Sequence, residues 1–188
     1  YHTDAQKWLK FAKLLLTSSN DDTDAADSVA SPQTGAVLQP DAIVVGSGLA
    51  GLAASLNMLD RGGNVVIVEK EHRLGGNSNK ASSGINACCP PDNTTVTYGD
   101  FLEAFQNDTI RSAGTSARPD LIQVLISRSA DAVSFLQHRV GVDLSLMAQL
   151  GGHSYKRTHR PNNGMAGAEI IYGMQKAVKQ YEKAGKVR

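Results

Sequence analysis

Cysteines are scarce in this sequence, and their scarcity excludes two classes of protein. The 188 residues contain two cysteines, and these are neighbours, Cys88 and Cys89. Two cysteines cannot make a disulfide framework, and adjacent ones lack the ligand spacing of a zinc ribbon. We therefore expect two reduced thiols of the kind found in a cytosol-like compartment.

Long apolar runs and an excess of one charge sign are also missing. Runs such as Val65–Val68 span four residues, whereas a membrane helix needs roughly 18 or more, so a membrane span is excluded. The 19 Lys and Arg residues nearly balance 18 Asp and Glu, and aromatic residues make up only 5 % of the chain. A general nucleic-acid binder is excluded, because it needs a basic surface interleaved with aromatic side chains.

The composition, 41 % hydrophobic and 20 % charged, is typical of a soluble globular chain of one domain with some surplus. Residues 1–20 place apolar side chains at helical spacing and predict a helix from an upstream region. Residues 21–40 hold four Asp and no Lys or Arg, and they predict an acidic linker. Residues 41–188 are interpreted as the N-terminal part of a larger domain, so we treat the sequence as a piece of a longer protein.

A strand–helix–strand unit follows the linker. A short β-branched run at 42–45 predicts a buried strand, residues 52–61 predict a helix, and 64–68 predict a second buried strand. Three further helices are predicted over 100–113, 119–140 and 166–184. On the second of these, the inward face is predicted to contain Leu121, Val124, Leu125, Ala132, Phe135 and Leu136.

Gly46, Gly48 and Gly51 form a GxGxxG motif between the first strand and the helix. The first glycine permits a tight turn, the second lets a pyrophosphate approach the backbone, and the third lets the helix pack closely on the strand. Glu69 ends the second strand, where a carboxylate accepts the hydroxyls of an adenosine ribose and repels a 2′-phosphate. The motif therefore favours FAD or NAD over NADP, the alternative being a glycine-rich turn without a ligand.

The segment after Glu69 favours FAD. It contains a Gly-Gly-Asn turn at 75–77, which is typical of chains that run back along the diphosphate of FAD. The next residues, 79–87, have small side chains that leave room for a flat isoalloxazine ring. An ordinary polar loop is the other interpretation of the same composition.

Three runs together resemble one family: DAIVVGSGLAGLAA, VEKEHRLGGNSNKASSGINA and QLGGHSYKRTHRP. Their order and spacing over 41–188 are similar to soluble fumarate reductases of eukaryotic microbes, within the succinate dehydrogenase/fumarate reductase flavoprotein family. The resemblance implies an α/β fold, a Rossmann-like FAD-binding domain that is incomplete at its C-terminal end. The FAD contacts that it implies are Gly46, Gly48, Ala50, Gly51, Glu69, Asn77, Ser78, Ser82, Ser83 and Gly84. The membrane-bound relatives attach FAD through a His near the Asn77–Ser78 position, and its absence here implies non-covalent FAD.

The resemblance also implies an activity, hydride transfer from reduced FAD to fumarate to give succinate, with NADH as the ultimate donor. The family's catalytic Arg and substrate-clamping residues lie outside this sequence, so no catalytic residue is assigned and the chain alone is expected to be inactive. The implied partners are fumarate and succinate, and an NADH-oxidising or flavin-transferring domain of the same polypeptide. The implied location is intracellular and soluble, in a eukaryotic organelle such as the mitochondrion or glycosome.

Two alternatives stay open. One is another FAD oxidoreductase of the superfamily, of the aspartate oxidase or ketosteroid dehydrogenase type, and the other is a catalytically inert FAD-binding fragment. The basic run 156–160 is also ambiguous. It is interpreted as a solvated loop in which His159 is structural, or else as an approach path for anionic substrates.

Overall fold

The computed structural model describes residues 39–89 and 99–188. The predicted helix over 1–20 and all but the last two residues of the predicted linker over 21–40 lie outside these ranges.

The first described elements form the predicted strand–helix–strand unit. Strands β1 (Ala42–Val45) and β2 (Val65–Val68) run parallel, with Ala42 opposite Val65. Helix α1 (Leu49–Asp60) makes the crossover that two parallel strands require. It begins three residues earlier than predicted, because Leu52 N–H already donates to the carbonyl of Gly48.

The sheet continues on the far side of β2. Val65 N–H donates to the carbonyl of Lys186 at 2.9 Å, and Arg188 N–H donates to the carbonyl of Val65 at 3.1 Å. Val187 therefore pairs with Val65 in parallel, as a third strand of a Rossmann-like sheet does. The α/β class and the Rossmann-like sheet predicted from the sequence are confirmed.

A second sheet was not predicted. Strands β3 (Ile85–Asn86), β4 (Leu146–Ala148) and β5 (Thr158–Arg160) pair antiparallel in the order β3-β5-β4. Each strand has only two or three residues, too few for the alternation by which a strand is recognised in a sequence. The predicted basic loop over 156–160 is therefore wrong for its second half, which forms the central strand of this sheet.

The helices that follow differ from the prediction in one place. Helix α2 spans Leu102–Ala113 and is followed by a 3₁₀ turn at Gly114–Ser116. The single helix predicted over 119–140 consists instead of α3 (Pro119–Ser127), α4 (Ser129–Ser134) and a π-helical turn (Phe135–Val140). The break falls at Arg128, whose φ of −105° and ψ of 1° leave the helical region.

The inward face predicted for this stretch is wrong in its first half. Leu121, Val124 and Leu125 are between 54 % and 62 % exposed, whereas Ile122 and Ile126 are buried. These two isoleucines are four residues apart, hence on one side of α3, and they pack with Cys88 and Phe105. Ala132 is exposed as well, whereas Leu136 lies in the main core as predicted.

Helix α5 (Ala166–Glu182) packs on α1 and buries Ile170, Ile171, Met174 and Val178, as predicted. Its Gly167 lies so close to the carbonyl of Ser78 that a Cβ would overlap with that oxygen. The absence of a side chain therefore lets α5 press against the 3₁₀ turn at Gly76–Lys80. This contact fixes the position of Asn77 and Ser78.

The cysteines differ from the expectation of two reduced thiols. Cys88 and Cys89 are joined by a disulfide. Cys89 has a φ of +63°, in the left-handed region, and the two adjacent letters in the sequence do not indicate that conformation.

We expect Gly51→Ala to destabilise the fold. A Cβ at this position would overlap with the backbone carbonyl of Gly46, so the cost should reach the upper end of the range of about 1–3 kcal/mol that is typical of overpacking. The higher helix propensity of alanine, worth about 1 kcal/mol, offsets only part of that loss. The free energy of unfolding in urea measures the effect. Asn57→Ala, at an exposed position of the same helix, is the control, and equal stability of the two variants would contradict the prediction.

Candidate cofactor-binding site

The glycine turn between β1 and α1 forms the centre of the candidate site. Gly46 adopts a φ of +95°, which favours glycine, and its N–H donates to the carbonyl of Val68 at 2.8 Å. Gly51 packs directly on the Gly46 backbone. These two glycines thus serve the tight turn and the close helix–strand packing predicted for them.

Gly48 serves neither purpose. Its φ of −66° suits any residue, and a Cβ there would meet no protein atom closer than 3.8 Å. The space that the missing side chain leaves open lies at the N-terminus of α1, where free N–H groups and the helix dipole favour an anion. The first turn of α1 holds no acidic residue that would compete. This geometry fits the diphosphate of a dinucleotide.

Ser78 reaches the same helix N-terminus from the 3₁₀ turn. Its Oγ accepts a hydrogen bond from Leu49 N–H at 3.3 Å. The chain reaches this position through Gly75 and Gly76, whose φ values of +111° and +52° both fall in the left-handed region. Asn77 is exposed beside Ser78, and its Oδ1 accepts from Lys80 Nζ at 3.4 Å.

Glu69 lies at the end of β2, within the same cluster. Its Oε2 accepts from the Ser47 N–H at 2.9 Å and from the Ser47 hydroxyl at 2.5 Å. Its Oε1 accepts from the N–H groups of Lys70 and Glu71 at 2.8 and 3.0 Å. The hydrogen bonds from Ser47, followed by those from the other two N–H groups, lower the pKa of Glu69 to about 2. The carboxylate is therefore ionised at neutral pH, and its contact with a ribose stays a prediction.

The predicted contact residues fall into two groups. The first surrounds the N-terminus of α1, and it consists of Gly46, Gly48, Ala50, Gly51, Glu69, Asn77 and Ser78. The second, Ser82, Ser83 and Gly84, lies immediately before β3, with both serines exposed. Gly84 has a φ of +142°, and a Cβ there would lie 2.5 Å from the carbonyl oxygen of His159. Glycine is thus required for β3 to approach β5.

A cavity of about 730 Å³ opens beside the second group. Gly84 and Asn86 line it on one side, Phe105 lies on another, and Gly152 and His153 lie on a third. Asn86 Nδ2 and His153 Nε2 are 3.2 Å apart, and the Thr158 hydroxyl donates to Asn86 Oδ1 at 2.6 Å. In the sequence, Gly152 and His153 stand out only as part of the third run that resembles the fumarate reductase family. The pairing of His153 with Asn86 was missed, because 67 residues separate the two side chains.

The alternative interpretation of the basic run, an approach path for anionic substrates, is wrong for two of its residues. Arg157 is fully buried, with its guanidinium 2.7 Å from Asp100 and 3.2 Å from Asp108. It also lies 4.6 Å from the centre of the Phe105 ring. His159 is buried too, and burial lowers its pKa, which favours the neutral imidazole. Neither side chain can attract an anion from solvent.

Asp108 joins the buried arginine to the loop that lines the cavity. It accepts from both the N–H and the hydroxyl of Ser154, each at 2.7 Å. Burial raises the pKa of Asp108, but the hydrogen bonds from Ser154 and the charges of Arg157 and Arg111 outweigh this, so its pKa is lowered. The ionised carboxylate thus fixes the residue next to His153.

Comparison with known proteins decides the family. The family described as "FAD binding domain" matches residues 41–187. The chain belongs to this family. The cofactor FAD, which the segment after Glu69 favours over NAD, is thereby confirmed, and the open space at Gly48 is consistent with it.

Several proteins whose sequences are similar to this chain are fumarate reductases. Over 119 residues, 63 % of the chain, it is 45 % identical to "Fumarate reductase" of Schizosaccharomyces pombe and covers 23 % of that protein. It is 38 % identical over 135 residues, 71 % of the chain, to "NADH:fumarate oxidoreductase" of Klebsiella pneumoniae, of which it covers 14 %. The predicted resemblance to fumarate reductase flavoproteins is confirmed.

A solved structure agrees. The open conformation of a flavocytochrome c3 fumarate reductase matches with a TM-score of 0.68 and 36 % identity, over 73 % of this chain and 24 % of that one. The FAD-binding domain described here therefore spans less than a third of each of these proteins. An L-aspartate oxidase of Streptomyces coelicolor is less similar, at 28 % identity over 155 residues, 79 % of the chain and 25 % of that protein.

Two further observations concern the described residues alone. None of the helices within 39–89 and 99–188 has both the length and the apolarity of a membrane span. Within the same ranges, no three or more His, Cys, Asp and Glu side chains gather as a metal site would require.

We expect Gly48→Ala to weaken FAD binding while leaving the fold intact. The backbone at Gly48 suits alanine, and the new methyl group would meet no protein atom closer than 3.8 Å, so the free energy of unfolding should change by less than about 0.5 kcal/mol. The methyl group would occupy the approach to the helix N-terminus, and FAD affinity should fall at least about tenfold. Fluorescence titration of the apoprotein with FAD measures the dissociation constant. An unchanged constant would place the diphosphate elsewhere.

The lowered pKa of Glu69 predicts a stability that depends on pH. A carboxylate whose pKa is lowered on folding stabilises the fold fully above its ordinary pKa of 4.5. That contribution is lost as the pH falls towards the folded-state value of about 2. Glu69→Gln cannot titrate, so the stability difference between wild type and variant should shrink as the pH falls from about 5 to 2. Denaturant unfolding at several pH values tests this, and a constant difference would contradict it.

Proposed function

We propose that this chain is the FAD-binding part of a fumarate reductase. The observation that carries the proposal is the open position at Gly48 beside the N-terminus of α1, in a chain that is 45 % identical to a fumarate reductase. Bound FAD, once reduced, supplies the hydride that converts fumarate to succinate. The residues of this chain bind and orient the cofactor, and no catalytic proton donor is assigned among them.

Three groups of residues have distinct tasks in this proposal. The N-terminus of α1, with Gly48 and Ser78, binds the diphosphate, because its N–H groups point towards the open space. Glu69 accepts hydrogen bonds from the adenosine ribose, sharing its oxygens with Ser47. Ser82, Ser83 and Gly84 present backbone N–H groups to the isoalloxazine ring, where fixed donors stabilise the reduced anion.

The electron donor and the location are finer points of the same proposal. One relative carries NADH in its name, which supports NADH as the ultimate donor, supplied through an NADH-oxidising or flavin-transferring domain of the same polypeptide. We place the protein inside the cell, in a mitochondrion or glycosome. A fungal relative supports a eukaryotic source.

Non-covalent binding of FAD gives the first test. Positions 77 and 78 hold Asn and Ser, so no histidine stands at the position where membrane-bound relatives attach the flavin. Acid precipitation of the purified holoprotein should therefore leave the yellow flavin in the supernatant, with its absorbance at full yield. Flavin that stays in the washed pellet would contradict non-covalent binding without affecting the proposed reaction.

The reaction itself is tested on two polypeptides. The complete polypeptide should oxidise reduced viologen when fumarate is added, and L-aspartate should not reduce its FAD. The 188-residue chain alone should show no fumarate turnover above that of free FAD, because a proton donor must lie within hydrogen-bond reach of the substrate. Turnover by the chain alone would place catalytic groups within it, whereas reduction by L-aspartate would favour the aspartate oxidase alternative.

A further inference from the structure

Ser47 lies between the first two glycines of the motif and is completely buried. Its hydroxyl donates to Glu69 Oε2 at 2.5 Å and accepts from Gly75 N–H at 3.2 Å. Its own N–H donates to the same carboxylate oxygen at 2.9 Å. One small side chain therefore joins three segments of the cofactor site: the glycine turn, the end of β2 and the turn that leads to Asn77 and Ser78.

The GxGxxG turn itself does not require this hydroxyl. The turn depends on the backbone of Gly46 and on the packing of Gly51, and alanine at position 47 would satisfy both. Removal of the hydroxyl would leave two groups short of a partner. Oε2 of Glu69 would lose its shortest hydrogen bond, and the buried N–H of Gly75 would lose its acceptor.

We propose that Ser47 is a positioning residue for FAD, whose hydroxyl aims the Glu69 carboxylate at the adenosine ribose and ties it to the turn that carries Asn77 and Ser78. The inference rests on the proposed contact between Glu69 and the ribose. The inference assigns a role to Ser47 although this residue does not contact the ribose. It also explains how the adenosine end and the diphosphate end of the site keep a fixed position relative to each other. The two hydrogen bonds from Ser47 to the Glu69 carboxylate are charge-assisted, which makes them stronger than the neutral one from Gly75 N–H.

The expected effect of Ser47→Ala is a loss of FAD affinity of about tenfold, from one charge-assisted hydrogen bond. The loss stays moderate because three backbone N–H groups, those of Ser47, Lys70 and Glu71, still hold the carboxylate. Titration of the apoprotein with oxidised FAD measures it, and this binding constant does not depend on whether fumarate is the substrate. Failure of the proposed reaction is therefore distinguishable from failure of this inference.

Ser55→Ala is a matched control. Ser55 is also completely buried, and its hydroxyl donates to the carbonyl of Gly51 at 2.8 Å within α1. The substitution removes the same group at the same burial without touching Glu69. FAD affinity should change by less than about twofold in this variant.

The decisive readout is a double-mutant cycle with Glu69→Ala. If Ser47 acts mainly through Glu69, the loss of FAD affinity caused by Ser47→Ala should be clearly smaller once Glu69 is absent, because only the hydrogen bond from Gly75 N–H then remains to be lost. A purely structural role would persist in that background, so a tenfold loss there would overturn the inference. An unchanged affinity of the single Ser47→Ala or Glu69→Ala variant would overturn it as well. If Ser47→Ala does not fold, Ser47→Gly removes the same hydroxyl without adding volume, and the cycle is read from that variant.

Discussion

The contact between Gly51 and the carbonyl of Gly46 determines where the cofactor site lies. It brings α1 against the end of β1 closely enough that no side chain fits between them. The N-terminus of α1 then borders the open position at Gly48. Leu49 N–H donates to Ser78 Oγ, and the first N–H groups of a helix have no partner within the helix. The 3₁₀ turn must meet the same point, and it does so because Gly167 lets α5 press on the carbonyl of Ser78. Two close approaches of backbone to backbone thus define the two sides of the site.

The candidate site combines charges of opposite sign, at the N-terminus of α1 and at Glu69. The N-terminus of α1 carries partial positive charge, whereas Glu69, at the end of β2 in the same cluster, carries a full negative charge. That carboxylate would weaken the anion site if it were free to turn. The four hydrogen bonds that it accepts hold it at the end of β2, so the charge stays where a ribose diol can meet it.

The sequence predicts the strand–helix–strand unit and its glycine turn well, because they depend on local pattern. Gly46, Gly48, Gly51 and Glu69 belong to one strand–helix–strand unit, whose period and glycine spacing are visible in a single stretch of chain. The sheet β3-β5-β4 could not be predicted in the same way. Asn86 and Thr158 are 72 residues apart, and strands of two or three residues show no alternation. The prediction of the inward face of α3 was wrong, because apolar residues occur on two sides of this helix. Packing against α2 buries the side that contains Ile122 and Ile126.

The basic run at 156–160 shows why charge alone did not reveal its role. A buried arginine is tolerated only when carboxylates compensate it, and here they come from Asp100 and Asp108, both distant in sequence. Asp108 then holds Ser154, so the ion cluster fixes the loop that contains His153 beside the cavity. The cofactor is recognised by backbone geometry within about 40 contiguous residues, which a motif can encode. The cavity next to it is shaped by contacts between distant segments. This difference explains why the sequence of this FAD-binding domain identifies its cofactor more readily than the substrate.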